Sequence, residues 1–511
     1  MTRSVRGVLL FLAISFGFSL YFFGWALSSP VGSSADESRH LTSILCGDAG
    51  GRELCEKTGG QTLNVRIPTL VAEGLQCMEG RLDDAANCQS AIDDREFTEV
   101  KYPGYDNYPG IFYEVLQVLV GQDVTRSVVL IRMINGLVSS LLFAAIVTLA
   151  RTKRHFIGIS VIMVLWSPVS FLIPSVNPSS WSITGAILLP ISMVLLLDAA
   201  RAKAARSMVV PAVIGALSIG IMASSRFDAL LVVPILLATT ILYYKLSPIP
   251  TSTQSHWVRT MWFIGLPVIS FFLFTVMFRF LGIFDEPFDG PPRHHQTVLA
   301  HNLAELPNYL LGFVGADPWN VSAQQGMRVP VFTQMTSVAV VILVVVTAWS
   351  RHSVLSRRVF VSATMTVISA VLALHQSAMF YMPKLIQPRY VMPLVIGSLV
   401  AFVVTARGPI SKSTLQWCVG LTFVGQSLVL YQNFRRYVIG LREVGNDDLG
   451  CMACSMENIG WWWANFRIMP VVIWGVAVIG FGMAMSAVYL LHSHTTSAPR
   501  SSSVVDAPPA V

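Results

Sequence analysis

Charge is what this sequence has least of. Only 12% of its 511 residues are Asp, Glu, Lys or Arg, about half of the roughly 25% usual in soluble domains. By contrast 53% are hydrophobic and the mean hydropathy is +0.61, which excludes a water-soluble globular protein. A basic stripe interleaved with aromatics is also missing. The net charge of +7 comes from short Lys/Arg clusters between apolar runs, so no nucleic-acid partner is expected. No clean A-x-A site follows the first apolar run, which at about twenty residues exceeds a signal-peptide h-region and reads as an uncleaved helix. No convincing internal repeat is present, which weighs against repeat-built transporters.

What is present is a series of apolar runs long enough to cross a hydrocarbon core of roughly 30 Å. They lie at about 8–27, 125–150, 156–174, 181–198, 208–224, 229–244, 260–281, 331–349, 359–380, 390–406, 414–433 and 468–491. The expected fold is therefore an all-α polytopic membrane protein of about twelve transmembrane helices. Arg3 and Arg6 precede the first run; Arg151, Lys153, Arg154, Arg201, Lys203, Arg206, Lys245, Arg259, Arg351, Arg357, Arg358, Arg407 and Lys412 fill the even-numbered connections. By the positive-inside rule those connections and both termini are cytoplasmic. Of the 28 carboxylates only Asp198 and Asp506 then fall on that side, so any chemistry faces outward. The expected divisions are a first helix (1–27), a first outer loop with an interfacial helix (28–124), a membrane core (125–406) with an outer loop at 282–330, C-terminal membrane helices (407–491) with an outer loop at 434–467, and a disordered cytoplasmic tail (492–511), in a bacterial plasma membrane.

The stretch Ser33–His40 follows the first apolar run directly. Ser34 and Glu37 fit the S-x-x-E capping box, which predicts a helix from Ser34 with Asp36 and Glu37 in its first turn and His40 one turn on. Two carboxylates and an imidazole on one face at the bilayer surface make a candidate reaction centre: Asp36, Glu37 and His40. The plain alternative is that Glu37 caps, Asp36 favours the helix dipole and His40 is a solvated neighbour.

The first outer loop bears Cys46, Cys55, Cys77 and Cys88, and the last bears Cys451 and Cys454. In an oxidising compartment four cysteines imply two disulfides with three possible pairings, and Cys451 with Cys454 reads as a structural disulfide. The run Tyr102 to Gly110, with Tyr105 and Asp106, breaks the chain before an apolar segment, Ile111 to Val120, too short to span. That segment is expected to lie in the interface, with a re-entrant packing piece as the alternative. Asn177 stands in a short outer connection. Arg226 and Asp228 stand at the outer boundary, where an ion pair and a substrate contact are equally open. Asp285, Glu286, His294, His295, His301 and Glu305 form no tight metal-ligand pattern. In the segment with Gln387 and Tyr390, Lys384 and Arg389 place two cations on an otherwise acidic face, where an arginine fork suits phosphate oxygens; snorkelling to the interface is the competing account. Trp461, Trp462 and Trp463 read as an interfacial belt.

In their order on one face, Asp36-Glu37, Tyr102 to Tyr113, Asn177-Pro178, Ser225-Arg226-Phe227 and Gln387-Pro388-Arg389-Tyr390 with Pro393 resemble the GT-C class of polytopic glycosyltransferases. The pattern is most similar to a bacterial family of predicted membrane proteins related to that class. The resemblance implies a GT-C-like fold and an outward site that takes a sugar from a polyprenyl-phosphate donor to a glycan or lipid acceptor. It implies a first-loop carboxylate, Asp36 or Glu37, as general base and Arg389 as phosphate ligand. The soluble C-terminal domain of many such enzymes is not seen, so acceptor recognition is expected from the outer loops. Attack of a hydroxyl on an anomeric carbon needs a proton acceptor and a stabilised leaving phosphate, and one-step displacement inverts the centre. No cofactor is required, although paired carboxylates can hold Mg²⁺ or Mn²⁺ beside phosphate. A secondary transporter or lipid-carrier flippase, and a non-catalytic envelope assembly protein, are the competing classes.

Overall fold

The computed structural model describes residues 3–47, 54–57, 64–74, 76, 85–93, 96–102, 108–149, 156–246, 295–315, 329–382, 386–440, 461–463 and 468–493. Among these residues nine helices are long and apolar enough to cross a membrane. They are α1 (Arg3–Leu27, apolar from Val5), α5 (Val124–Leu149), α8 (Ser179–Arg201), α9 (Ala205–Ser225), α10 (Ala229–Leu246), α12 (Val331–Trp349), α13 (Val354–Ser377), α14 (Pro388–Thr405) and α16 (Pro470–Ser493, apolar to Leu491). The remaining helices are α2 (Glu37–Leu45), α3 (Thr69–Glu73), α4 (Gly110–Gln117), α6 (Phe156–Met163), α7 (Ser167–Leu172), α11 (His295–Leu311) and α15 (Lys412–Val438). The chain is a multi-pass helical membrane protein.

Helix α1 packs against both α5 and α16. Its crossing with α16 depends on missing side chains: a Cβ on Gly17 would stand 2.5 Å from the Gly480 carbonyl oxygen, and one on Gly480 2.9 Å from that of Gly17. Small residues let the two backbones approach where no hydrophobic gain separates helix from lipid. Aromatic side chains then fill the interior, with Tyr21 stacked on Phe481 at 4.2 Å and Phe18, Phe22 and Trp25 no more than 1% exposed.

Three expectations change. The run 156–174 is no single span: it folds as α6 and α7, separated at Val164–Trp166, with every residue of both helices buried. Pro168 in the first turn of α7 fixes the break, because the residue before a proline is driven out of the α region and proline belongs at a helix start. The region 282–330 is no simple loop either. Within it α11 packs against α13, and the following turn (Gly312–Val314) packs on α7, α12 and α14. Val298 and Tyr309 on this helix and Phe313 on the turn are buried, and Asn302 pins the helix by donating to the Phe380 carbonyl at 3.0 Å and accepting from the Met382 N–H at 2.8 Å. Finally, the all-α description holds for the membrane part alone. The loop after α1 carries an antiparallel sheet, β1 (Glu56–Lys57), β2 (Asn64–Pro68) and β3 (Phe97–Lys101), with Asn64 opposite Lys101 and Pro68 opposite Phe97. Val65 and Ile67 point inward and Arg66 outward, the alternation of a half-buried strand.

The run 414–433 is part of α15, a 27-residue helix, and the run 260–281 lies outside the described residues. Cys46 and Cys55 are disulfide-bonded, with Cα atoms 5.2 Å apart. Cys88 is also disulfide-bonded, whereas Cys77, Cys451, Cys454 and the tail from residue 494 lie outside the described residues. The expected tryptophan belt is corrected: Trp461 and Trp462 are 9% and 3% exposed. Trp462 donates from Nε1 to the Leu27 carbonyl at 3.2 Å, satisfying an end group of α1 that the helix cannot.

Candidate functional site

The chain leaving α1 is held by one arginine from α5. Arg132 donates to the carbonyls of Ala26 (3.2 Å), Ser29 (2.7 Å) and Pro30 (2.8 Å) and to Ser33 Oγ (3.3 Å). It closes a two-pronged pair with Glu37, Nε to Oε1 at 3.0 Å and Nη2 to Oε2 at 2.6 Å. Arg132 is 2% exposed and Glu37 is fully buried. A charge at this depth persists only with a partner, and here each charge has one. The same Glu37 carboxylate accepts the Ser34 backbone N–H at 3.2 Å, which is half of the expected capping box. The other half is absent, since Ser34 Oγ has no partner among the described residues, and α2 begins at Glu37, three residues later than expected.

That late start separates the two acids. Asp36 is the residue before the helix, in the left-handed region with φ 54° and ψ 17°, a conformation that Asp tolerates better than most residues. Its side chain makes no capping bond and turns instead to Arg389 at the start of α14, Nη2 to Oδ2 at 2.5 Å. Asp36 and Glu37 therefore do not share a face; each carboxylate is taken by a different arginine. A divalent ion bridging the pair does not fit, because Arg132 fills both Glu37 oxygens. Among the described residues no group of three or more His, Cys, Asp or Glu side chains is placed to hold a metal ion.

Arg389 is only 3% exposed. Its Nη2 also donates to Tyr390 Oη at 2.8 Å, and its guanidinium lies 4.8 Å from the centroid of the Tyr390 ring. Its Nε and Nη1 are buried and have no partner among the described residues. The same Tyr390 ring takes a second guanidinium, that of Arg226, at 5.2 Å, and Tyr108 flanks Arg226 at 5.8 Å. Arg226 also pairs with Asp228, Nε to Oδ1 at 2.9 Å and Nη2 to Oδ2 at 2.7 Å, and reaches Ser179 Oγ at 3.4 Å. Residues from the first loop, the end of α9 and the start of α14 thus meet at one end of the bundle around a single tyrosine.

Asn177 serves this arrangement from behind. It donates to the Ala35 carbonyl at 2.7 Å and accepts from the Ser179 N–H at 2.8 Å, and it is buried. It thus fixes the residue before Asp36. His40 lies next to the acid turn but inside the protein, with Nδ1 3.0 Å from Tyr113 Oη and its ring edge-on to Tyr108 at 5.2 Å. Burial pushes the His40 pKa down to about 3, against the opposing pull of the Asp36 charge, so the ring is neutral at ordinary pH. Burial likewise raises the Tyr108 hydroxyl, with Arg226 opposing.

The expected site residues Asp36, Arg389, Tyr390, Arg226 and Asp228 are therefore brought together, with Glu37, His40 and Asn177 in the layer beneath. Gln387 is next to Arg389 and its Oε1 has no partner among the described residues. Tyr105, Asp106 and Lys384 lie outside the described residues, as do Asp285, Glu286 and His294. His301 lies against Tyr381 at 4.3 Å, and Glu305 accepts from Asn308 at 3.1 Å. Sequence reasoning missed Arg132, and reached Tyr108 and Tyr113 only as members of the segment Tyr102 to Tyr113. For Arg132 a signal existed: an arginine two turns inside an apolar run is costly unless paired.

Fold and site together define a polytopic membrane protein with buried arginines, an exposed carboxylate and tyrosine rings facing the guanidinium groups gathered at one rim. Residues 18–397 match the model of DUF2142, described as a predicted membrane protein, and the chain belongs to this family. No curated protein and no solved structure matches it.

Proposed function

We propose that the chain is a membrane glycosyltransferase of the GT-C type, moving a sugar from a polyprenyl-phosphate donor to a cell-envelope glycan or lipid acceptor on the outer face of a bacterial plasma membrane. In this reading the bundle has about twelve spans with both termini cytoplasmic, and the rim carrying Asp36 faces outward. The observation that carries it is Arg389: a guanidinium almost wholly buried, with two nitrogens that have no partner among the described residues, beside a carboxylate that is 44% exposed. An unsatisfied buried donor costs about 1–3 kcal/mol, a cost that a phosphate oxygen on those nitrogens would remove.

In this reading the roles are as follows. Asp36 accepts the proton of the acceptor hydroxyl as its oxygen bonds to the anomeric carbon. The bond from that carbon to the donor phosphate breaks with its electron pair leaving on the phosphate oxygen, and Arg389 neutralises the charge that develops there. Displacement in one step inverts the anomeric centre. Arg226, with Tyr108 and Tyr390, walls the position a sugar would take, and aromatic faces beside cations suit a polyhydroxylated ring. The short helix α4 exposes Ile111, Val115 and Val118 and buries Phe112, Tyr113 and Leu116, which suits a place in the interface next to a lipid donor. Purified protein given a panel of polyprenyl-phosphate sugars should release polyprenyl phosphate and glycosylated acceptor. No transfer from any donor, with transport of a labelled lipid carrier instead, would favour the flippase class.

A further inference from the structure

The Asp36–Arg389 contact bears on how such a site is switched on. Arg389 Nη2 has two hydrogens, and both are committed, one to Asp36 Oδ2 at 2.5 Å and one to Tyr390 Oη at 2.8 Å. A guanidinium binds a phosphate through one of two edges, Nε with Nη2 or Nη1 with Nη2, and Nη2 belongs to both. Each edge of Arg389 therefore has one prong filled by the protein and one prong with no partner among the described residues. A phosphate can engage Arg389 bidentately only by displacing Asp36 or Tyr390 from Nη2. Tyr390 is held in place, its ring lying against the guanidinium groups of both Arg389 and Arg226. Asp36 is the looser partner, with its side chain 44% exposed against 3% for Arg389. Its backbone is fixed on either side, by Asn177 at the Ala35 carbonyl and by the His40 N–H on its own carbonyl at 3.0 Å. Only its carboxylate is left to swing.

We infer that the Asp36–Arg389 ion pair is a latch operated by the donor: the lipid phosphate takes the Asp36 position on Nη2, and the released carboxylate becomes able to accept the proton of the acceptor hydroxyl. The inference rests on the transferase reading and adds to it an order of events, with donor bound before the base is free. A site without donor then holds its base closed, which keeps water from being activated in place of the acceptor.

Farnesyl phosphate, a short polyprenyl monophosphate, serves as the probe. Its dissociation constant is measured on the full-length wild type and on Asp36→Asn, Tyr390→Phe and Arg389→Lys, together with a structure of the wild-type complex. The latch predicts that Asp36→Asn binds roughly three- to tenfold more tightly, the competing charge-assisted bond being weakened. It also predicts that Tyr390→Phe gains nothing, that Arg389→Lys loses binding, and that Asp36 moves out of hydrogen-bond reach of Arg389 in the complex. Asn tolerates the left-handed backbone at position 36, so Asp36→Asn is expected to fold. Farnesyl phosphate bound on Arg389 with the Asp36 contact intact, or Tyr390→Phe as the tighter binder, overturns the latch and leaves the transferase reading standing. No binding to the wild type overturns both.

Discussion

Replacing Glu37 by Gln tests whether the candidate site stands on a buried charge pair. The substitution keeps the side chain's shape and removes its charge, leaving Arg132 at 2% exposure with no anion. Breaking one partner of a buried pair costs about 3–5 kcal/mol, because the remaining charge is desolvated and uncompensated. Arg132→Met is expected to cost more, about 6–8 kcal/mol, since it also strips donors from the Ala26, Ser29 and Pro30 carbonyls at roughly 1 kcal/mol each. The double variant Glu37→Gln/Arg132→Met removes both charges and should cost clearly less than the two single changes together. The assay is denaturant unfolding of the detergent-solubilised protein with its disulfides intact, followed by tryptophan fluorescence, which Trp462 on Leu27 reports from the same region. A Glu37→Gln protein within about 1 kcal/mol of wild type would refute the reasoning, as would additive single and double changes.

Three further outcomes are expected. Asn177→Ala should lower turnover at unchanged fold, because the Ala35 carbonyl and the Asp36 backbone lose their tether; circular dichroism and a turnover assay check it, and unchanged turnover would remove Asn177 from any positioning role. Because the folded pKa of His40 is depressed to about 3, its stabilising contribution is complete above the unfolded value and is lost as pH falls below about 6.5. Wild type should then lose roughly 1.4 kcal/mol more per pH unit than His40→Gln between pH 6 and 4, read from unfolding midpoints. Gly17→Ala should destabilise by about 1–3 kcal/mol, since its new Cβ meets backbone atoms of α16 that cannot swing aside.

Much of the bundle is legible in apolar run lengths alone, which place α1, α5, α8, α9, α10, α12, α13, α14 and α16 close to where they fold. Length fails where backbone chemistry decides. Ser167-Pro168 breaks the run 156–174, and the segment 295–314 reads as a loop because its buried side chains are few, Val298 and Tyr309 on a helix that carries Pro307 within it and Phe313 on the turn after it. The alternation of Val65 and Ile67 about Arg66 is the mark of a half-buried strand, but over five residues it is too short to stand out in a long polar loop. Of the site, Asp36, Arg226 and Arg389 stand out as charges at the rim of an otherwise apolar chain. What the sequence could not show is which acid meets which base: the capping-box pattern puts Asp36 and Glu37 on one helical turn, whereas starting α2 at Glu37 sends one acid inward to Arg132 and the other outward to Arg389. Asn177 was readable as a residue near the surface, but its use as a tether for the Ala35 carbonyl depends on a contact across 142 positions.

The most direct measurement is a paired one on Asp36→Asn: turnover of a polyprenyl-phosphate sugar together with binding of that donor. Loss of a general base predicts turnover reduced about 10²- to 10⁴-fold with donor binding kept or tightened. Turnover near the wild-type level, with the donor still held on Arg389, would contradict the assignment of Asp36 as the group that takes the proton.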